Sequence, residues 1–444
     1  MPYSNNLITL KLNMKISIFW FRRDLRLEDN TALNLAISKN LQVLPIFIFD
    51  DEILNELPNN DPRVNFIYNN LIKIDQKLKK HHSSLLCLRG KPLEIWKDLL
   101  KKFEIKSVYV NTDYEPYARH RDQEIKQLLN EHGISFISSK DQVIHEENEI
   151  LKNDNKPYTV FTPYKRKWLE HYQPKEYSNK INYEYFFREN RTFPSMEELG
   201  IKKSDISVKD FDLSKIDHYE QIRDYPHIDQ TSYLSPHLRF GTISIREILS
   251  KLKPSNSVFQ SELIWREFFM QILYHFPHVV TENFKPKYNS IKWLNNPTDF
   301  EKWCTGNTGY PIVDAGMRQL NKTGYMHNRV RMITAGFLCK HLLIDWRLGE
   351  AYFAKKLLDY ELSSNNGNWQ WAAGTGCDAA PYFRIFNPYE QQKKFDKNQD
   401  YIKKWVSEIN TDQYPKPIVD HKFARNRALE AYKIGLINVT LNNI

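Results

Sequence analysis

The chain of 444 residues carries 63 Lys and Arg against 54 Asp and Glu, a net charge of +9, with 41% hydrophobic and 14% aromatic residues. That length exceeds what one hydrophobic core organises, so two domains are expected, and the apolar share excludes a disordered chain. The basic balance fits a polyanionic partner, no apolar run reaches the roughly eighteen residues of a membrane span, and the opening MPYSNNLITLKLN lacks a signal peptide's apolar core. Cys87, Cys304, Cys339 and Cys377 are scattered without metal or disulfide spacing, so a reducing, cytoplasmic setting and no metal site are expected.

Residues 1–14 read as an N-terminal extension, or as a start set too early with Met14 the alternative. From there, short β-branched or aromatic runs, Ile16–Phe21, Val43–Phe49, Leu85–Leu88, Ser107–Asn111 and Ile134–Ser138, alternate with helical patterns at Thr31–Lys39, Arg63–Lys80, Leu93–Phe103 and Arg119–His132. This alternation predicts an α/β domain over residues 15–139 with a parallel, five-stranded, Rossmann-like sheet. No GxGxxG follows the first strand, so ordinary dinucleotide binding is not indicated there. Residues 140–204, rich in Pro, Asn, Lys and Tyr, read as an interdomain connector. Beyond about Asp205 strand signals vanish, and Ile245–Leu252, Ser261–Phe276, Ile312–Lys322, Arg329–Asp345, Gly349–Leu358 and Tyr389–Ile409 predict an all-α domain over 205–444.

Within that domain, nine of fourteen glycines fall between Gly306 and Gly376, and six of ten tryptophans between Trp265 and Trp371. The run Asn365–Gly376, NNGNWQWAAGTG, sets two tryptophans in what reads as a glycine, alanine and asparagine loop. Close backbone approach and aromatic surface coincide there, as a flat, partly polar ligand requires. Thr231, Ser232 and Ser235 offer hydroxyls before a helix beginning near Ser235, an arrangement open to pyrophosphate binding or to plain capping.

Several longer motifs carry a resemblance. WFRRDLR from Trp20, TSYLSPHL from Thr231, ELIWREF from Glu262, GYPIVDAGMR from Gly309, MHNRVRM from Met326, and the Asn365 run continued by DAAPYFRIFNP from Asp378 closely resemble the photolyase/cryptochrome family. The similarity runs in order from about Lys15 to Ile409, and within the family the chain looks most like class I cyclobutane pyrimidine dimer photolyases. These are lyases that use light and reduced FAD to split ultraviolet-induced dimers, so the resemblance implies FAD in the α-helical domain, dimer-containing DNA as partner, and a monomeric chain, nucleoid-associated if bacterial. Opening a cyclobutane ring requires an electron to enter and leave the lesion, a task for an organic cofactor.

The resemblance also implies site residues. Tyr219, Thr231, Ser232, Leu234, Ser235, Arg266 and Glu361 match FAD-binding positions, Arg331 and Asp359 an ion pair beside the flavin, and Asn365 the residue facing its N5. Trp369, Trp346 and Trp293 match a chain that reduces the flavin from the surface. Glu262 and Asn328 match residues that hydrogen-bond the thymine edges, Trp265 and Trp371 the rings that pack on the splayed bases, and Met332 an apolar contact. Arg223, Arg329 and Arg384 match positions facing phosphate. Two departures stand out: Glu361 where the family commonly has Asp, and Phe259 where some relatives carry Trp. The Asn-Glu pair of folate-binding relatives is missing at Tyr117-Ala118, which speaks against a folate antenna and leaves a deazaflavin, another flavin or no antenna open. A cryptochrome photoreceptor is the alternative reading; Asn365 argues against it, since signalling relatives frequently place an acidic residue or cysteine there.

Overall fold

Strand β1 (Ile16–Phe21) is buried at every position, and its side chains divide by parity. Phe19 and Phe21 enter one apolar cluster, while Ile16, Ile18 and Trp20 enter another, the two faces of a covered sheet. β2 (Val43–Asp50), β3 (Leu86–Gly90), β4 (Ile105–Asn111) and β5 (Ser135–Ser139) join it, all parallel, in the order β3-β2-β1-β4-β5. The α/β sheet is therefore the one expected. The helix anticipated from Arg119 starts earlier, at Pro116, because proline needs no partner for a missing N–H in a first helical turn.

The computed structural model describes residues 15–39, 41–174 and 180–441, so the expected extension 1–14 lies outside the described residues. Two units emerge, one from the described parts of Met1–Ile144, Pro174–Ser207 and Phe240–Lys251, the other from His145–Gln173, Val208–Arg239 and Leu252–Ile444. The stretch 140–204 thus divides between them, and it contains a helix, Phe161–His171, that the connector reading did not include. Phe161, Tyr164 and Trp168 are its buried stripe, at a spacing obscured in the sequence by the intervening Lys and Arg.

No strand of the sheet lies in the second unit, whose core gathers Trp303, Trp346, Trp369, Phe337 and Phe353 with aliphatic neighbours. Three expectations there need correction. The Asn365–Gly376 run is not a loop: Leu362–Ala373 is a helix, closed by Gly374 at φ +82°. Its unhelical composition is explained by distant partners, since a Cβ on Gly367 would lie 2.2 Å from the Phe269 ring, and the Asn366 and Gln370 amides donate to the Val279 carbonyl at 2.8 and 3.1 Å. The helix anticipated over Arg329–Asp345 ends as Asn328–Gly336 and continues only as a π turn, Phe337–His341. Tyr389–Ile409 is split into Pro388–Phe395 and Asp400–Trp405, because the Asp396 carboxylate accepts the Tyr401 and Ile402 N–H groups, both at 3.0 Å.

Candidate active site

Helical periodicity builds the site. Asn328, Arg331, Met332 and Ala335 share one face of their helix, and Asn365, Asn368, Trp369 and Ala372 share one face of Leu362–Ala373. Between these faces, with Asp359, Glu361 and Trp371 also on its wall, lies a cleft open to solvent. Eight residues anticipated for three different tasks therefore line one space: Asn328, Arg331, Met332, Asp359, Glu361, Asn365, Trp369 and Trp371.

Charge in the cleft is paired. Arg331 Nη2 lies 2.9 Å from Asp359 Oδ2, and Arg331 Nε donates to the Met326 carbonyl at 2.9 Å, so the cation is fixed in direction. Ser235 Oγ donates to the same Asp359 carboxylate at 2.7 Å, which ties the TSYLS segment to the ion pair. The helix there begins at Leu234 and has six residues; Thr231 is exposed, and Thr231, Ser232 and Leu234 do not line the cleft. Arg266 reaches Glu361 at 3.2 Å, and Ser364 Oγ donates to the other Glu361 oxygen at 3.2 Å, so the longer carboxylate is held from two sides. Asn365 Nδ2 donates to the Glu350 side chain at 2.8 Å and to its carbonyl at 3.1 Å. That commits the amide nitrogen and leaves the oxygen as the group Asn365 can offer the cleft. Burial pushes the Glu350 carboxyl above its ordinary range, partly offset by this hydrogen bond. Glu350 was not anticipated, and no local spacing could have found it, since its link to Asn365 exists only through packing of two helices.

A sequence model of the family described as FAD binding domain of DNA photolyase matches residues 259–413, and one described as DNA photolyase matches residues 17–180. The deoxyribodipyrimidine photo-lyase of Halobacterium salinarum is 35% identical, over 94% of this chain and 99% of its own length. The chain belongs to the DNA photolyase family. Among solved structures, a bacterial class III photolyase from Agrobacterium tumefaciens superposes with a TM-score of 0.85 at 34% identity, covering 96% of this chain and 99% of its own. An archaeal photolyase from Sulfolobus tokodaii, described with two FAD molecules that imply a novel light-harvesting cofactor, gives 0.80 at 36% identity over 95% of this chain and 100% of its own.

Most of the remaining residues expected of a photolyase site lie outside the cleft. Glu262 does not line the cleft; it receives Arg223 at 2.7 Å, and Arg223 in turn lies over the Tyr219 ring, 5.1 Å from its centroid. Tyr219 packs edge-on against Phe259, so the residue standing in place of Trp keeps an aromatic contact. Arg329 pairs with Asp224 at 2.6 Å, whereas Arg384 is exposed. Two of the three arginines expected to face phosphate thus carry an acidic partner in the free chain. Trp265 does not line the cleft either; it stacks on Phe161 with centroids 3.7 Å apart. In the tryptophan series Trp369 and Trp346 are fully buried, and Trp293 packs half-buried against the same core. Trp346 Nε1 donates to Asn283 at 2.8 Å.

At the start of the Asn328–Gly336 helix, His327 Nδ1 accepts the Arg329 N–H at 3.2 Å. Burial and the nearby Arg329 cation pull its imidazole down to about 4, keeping the capping nitrogen unprotonated near neutrality. In the α/β unit Tyr117 donates to Asp50 at 2.6 Å and Arg121 lies 4.8 Å from the Trp20 ring centroid, at the site where the folate pair is missing. Among the described residues no helix is long and apolar enough to cross a membrane.

Proposed function

We propose that this chain repairs cyclobutane pyrimidine dimers in DNA in a light-driven, FAD-dependent lyase reaction. The observation that carries the reading is the single cleft shared by the ion pair Arg331–Asp359, by Asn365, and by Asn328, Met332 and Trp371. Its residues fit a flavin: the apolar side chains Ala335, Phe353, Leu357 and Trp369 suit a planar ring system, and an oriented cation and an amide oxygen suit its polar edge. Bound reduced FAD, after absorbing light, supplies the electron that opens the cyclobutane ring and receives it back.

The protein's own part is to extract, orient and shield the lesion. A dimer distorts its duplex and costs less to extrude than an intact pair, and stacking on Trp371 and Trp265 offsets part of that cost. Asn328 and Glu262 hydrogen-bond the thymine edges, with Met332 as an apolar stop. Arg223 and Arg329 exchange their partners Glu262 and Asp224 for backbone phosphates, joined by Arg384, so affinity is salt-dependent and blind to sequence. Release of Glu262 from Arg223 frees the carboxylate for the base edge, which couples phosphate binding to lesion recognition. Trp293, Trp346 and Trp369 carry electrons inward to restore the reduced cofactor. The chain acts as a monomer in this reading, and its substrate puts it with the chromosome: in the cytoplasm, and nucleoid-associated if the cell is bacterial. For the second chromophore a flavin is supported by the Sulfolobus relative with two FAD molecules.

Titration of damaged and undamaged oligonucleotides at several salt concentrations tests the reading. Dimer DNA should bind more tightly throughout, Trp371→Ala should shrink that preference by about 1 to 3 kcal/mol with little change in salt slope, and Arg384→Ala should weaken both DNAs and flatten the slope. Equal affinity for the two DNAs would favour a blue-light photoreceptor instead.

A further inference from the structure

Trp265 is an expected lesion contact whose ring orientation is set in part from outside its own helix. Its indole is stacked on Phe161 at 3.7 Å with the ring planes only 8° apart, and on Phe269 at 5.3 Å and 30°. Phe269 fits against Gly367, where a side chain would collide, so this aromatic column ends on the helix that carries Asn365 and Trp371. Phe161 is itself almost fully buried and is the first residue of the Phe161–His171 helix.

That helix is fastened at both ends by carboxylates far away in sequence. Val160, at its N-cap, supplies no capping side chain. Instead the Phe161 N–H donates at 3.0 Å to Asp378 Oδ2, 217 residues downstream, in the same segment that carries Arg384. Further along, Trp168 Nε1 donates to Glu267 Oε1 at 2.6 Å, and Glu267 lies two residues after Trp265 on the Ser257–His275 helix. A carboxylate at an orphan N–H of a helix start is both a cap and a favourable charge, and a stacked ring pair fixes the plane of the indole it covers.

We propose that Phe161 is a positioning residue for the Trp265 indole and that Asp378, by holding Phe161, joins the Arg384 segment to the aromatic wall that receives the dimer. This deepens the repair reading and rests on Trp265 as a lesion contact. Phe161 touches no substrate. It presents the indole in one plane, so that the loss of rotational freedom on stacking a base has already been met in the free protein.

The test uses the FAD-loaded full chain with oligonucleotides that do or do not contain one thymine dimer. Phe161→Leu keeps apolar volume but removes the stack, and is expected to weaken dimer binding about two- to tenfold, the range of one aromatic pair, leaving FAD content, photoreduction and undamaged-DNA affinity unchanged. Phe161→Tyr, which keeps the ring, is expected to restore dimer binding. In a Trp265→Ala background Phe161→Leu should add nothing, because the residue it positions is gone. Should Phe161→Leu fail to fold, Asp378→Ala is expected to lower dimer affinity while Asp378→Asn, which keeps an acceptor oxygen, retains it. Additive losses in the double variant, or full dimer affinity in Phe161→Leu when Trp265→Ala has lost it, overturn the positioning role alone. Full dimer affinity in Trp265→Ala overturns the lesion-contact reading and this proposal with it.

Discussion

Strand β1 and the Leu362–Ala373 helix are both central to their units, yet they were written by different rules. In β1 each residue answers to its immediate neighbours: an unbroken apolar run, alternating between two faces, suffices for a parallel strand covered on both sides. In Leu362–Ala373 Gly367 is small because Phe269 occupies the space of its Cβ, and Asn366 and Gln370 are polar because they satisfy the Val279 carbonyl inside the unit. The helix is a weak helix by propensity, stabilised by what packs on it, and the face left over is the wall of the cleft. A scaffold element can be local in its logic; an element shaped around a ligand is defined by contacts far away in sequence.

Substitutions can break this contrast, beginning with the glycines. Gly367→Ala is expected to cost about 3 kcal/mol or more, since the new methyl would overlap the packed Phe269 ring, and to lower FAD content together with the melting temperature. Gly133→Ala in the α/β unit, at φ +69° with nothing within 4 Å, should cost only backbone strain, about 1 to 2 kcal/mol, and leave FAD content unchanged. Equal effects in thermal melts would mean that Gly367 is not there to admit Phe269. Gln370→Ala should cost about 2 kcal/mol, because the Val279 and Glu282 carbonyls lose a donor and the Phe284 N–H loses its acceptor at 2.8 Å. A denaturation midpoint within error of the parent would contradict this account of the helix.

Two titrating groups sharpen the comparison further. Lys340, in the π turn, is buried with its ammonium 2.7 Å from the Ala373 carbonyl at the end of the Leu362–Ala373 helix and 3.7 Å from the centroid of the Tyr432 ring. Burial pulls it from 10.5 down to about 7, so folding disfavours its charged form; the penalty is largest below pH 7 and fades as pH rises toward 10.5. Because the Tyr432 hydroxyl also donates to Ala373, at 2.6 Å, Lys340→Met leaves that carbonyl satisfied. It should therefore raise the melting temperature at pH 6 and by less at pH 10, whereas equal shifts would show that the charge is not the cost. The smallest expected effect is at His327, whose folded form titrates near 4 against an ordinary 6.5. Its contribution is complete above about pH 6.5 and is lost as pH falls toward 4. His327→Asn, which keeps a capping acceptor and does not titrate there, should flatten stability across that window.

How much could be read in advance follows the same division. Every strand of the sheet was legible, because period and residue type agree locally, and the all-α second unit was legible from the loss of strand signals. The residues that line the cleft were legible only through long motifs such as MHNRVRM and the Asn365 run, and even there the local composition suggested a loop where a helix stands. Glu350, Asp224 and Phe161 were not legible at all. Each acts through a partner on another element, Asn365, Arg329 and Trp265 respectively, and sequence spacing contains no trace of such pairs.

The central claim is that one cleft of the helical unit presents a flipped pyrimidine dimer to FAD. It is tested most directly by illuminating the reduced, FAD-loaded protein with blue light in the presence of an oligonucleotide containing a single thymine dimer, and quantifying restored thymines chromatographically. The account predicts restoration in light, none in darkness, and strongly reduced restoration by Glu262→Gln and Trp371→Ala at limiting substrate. Bound dimer that stays intact under illumination would contradict it.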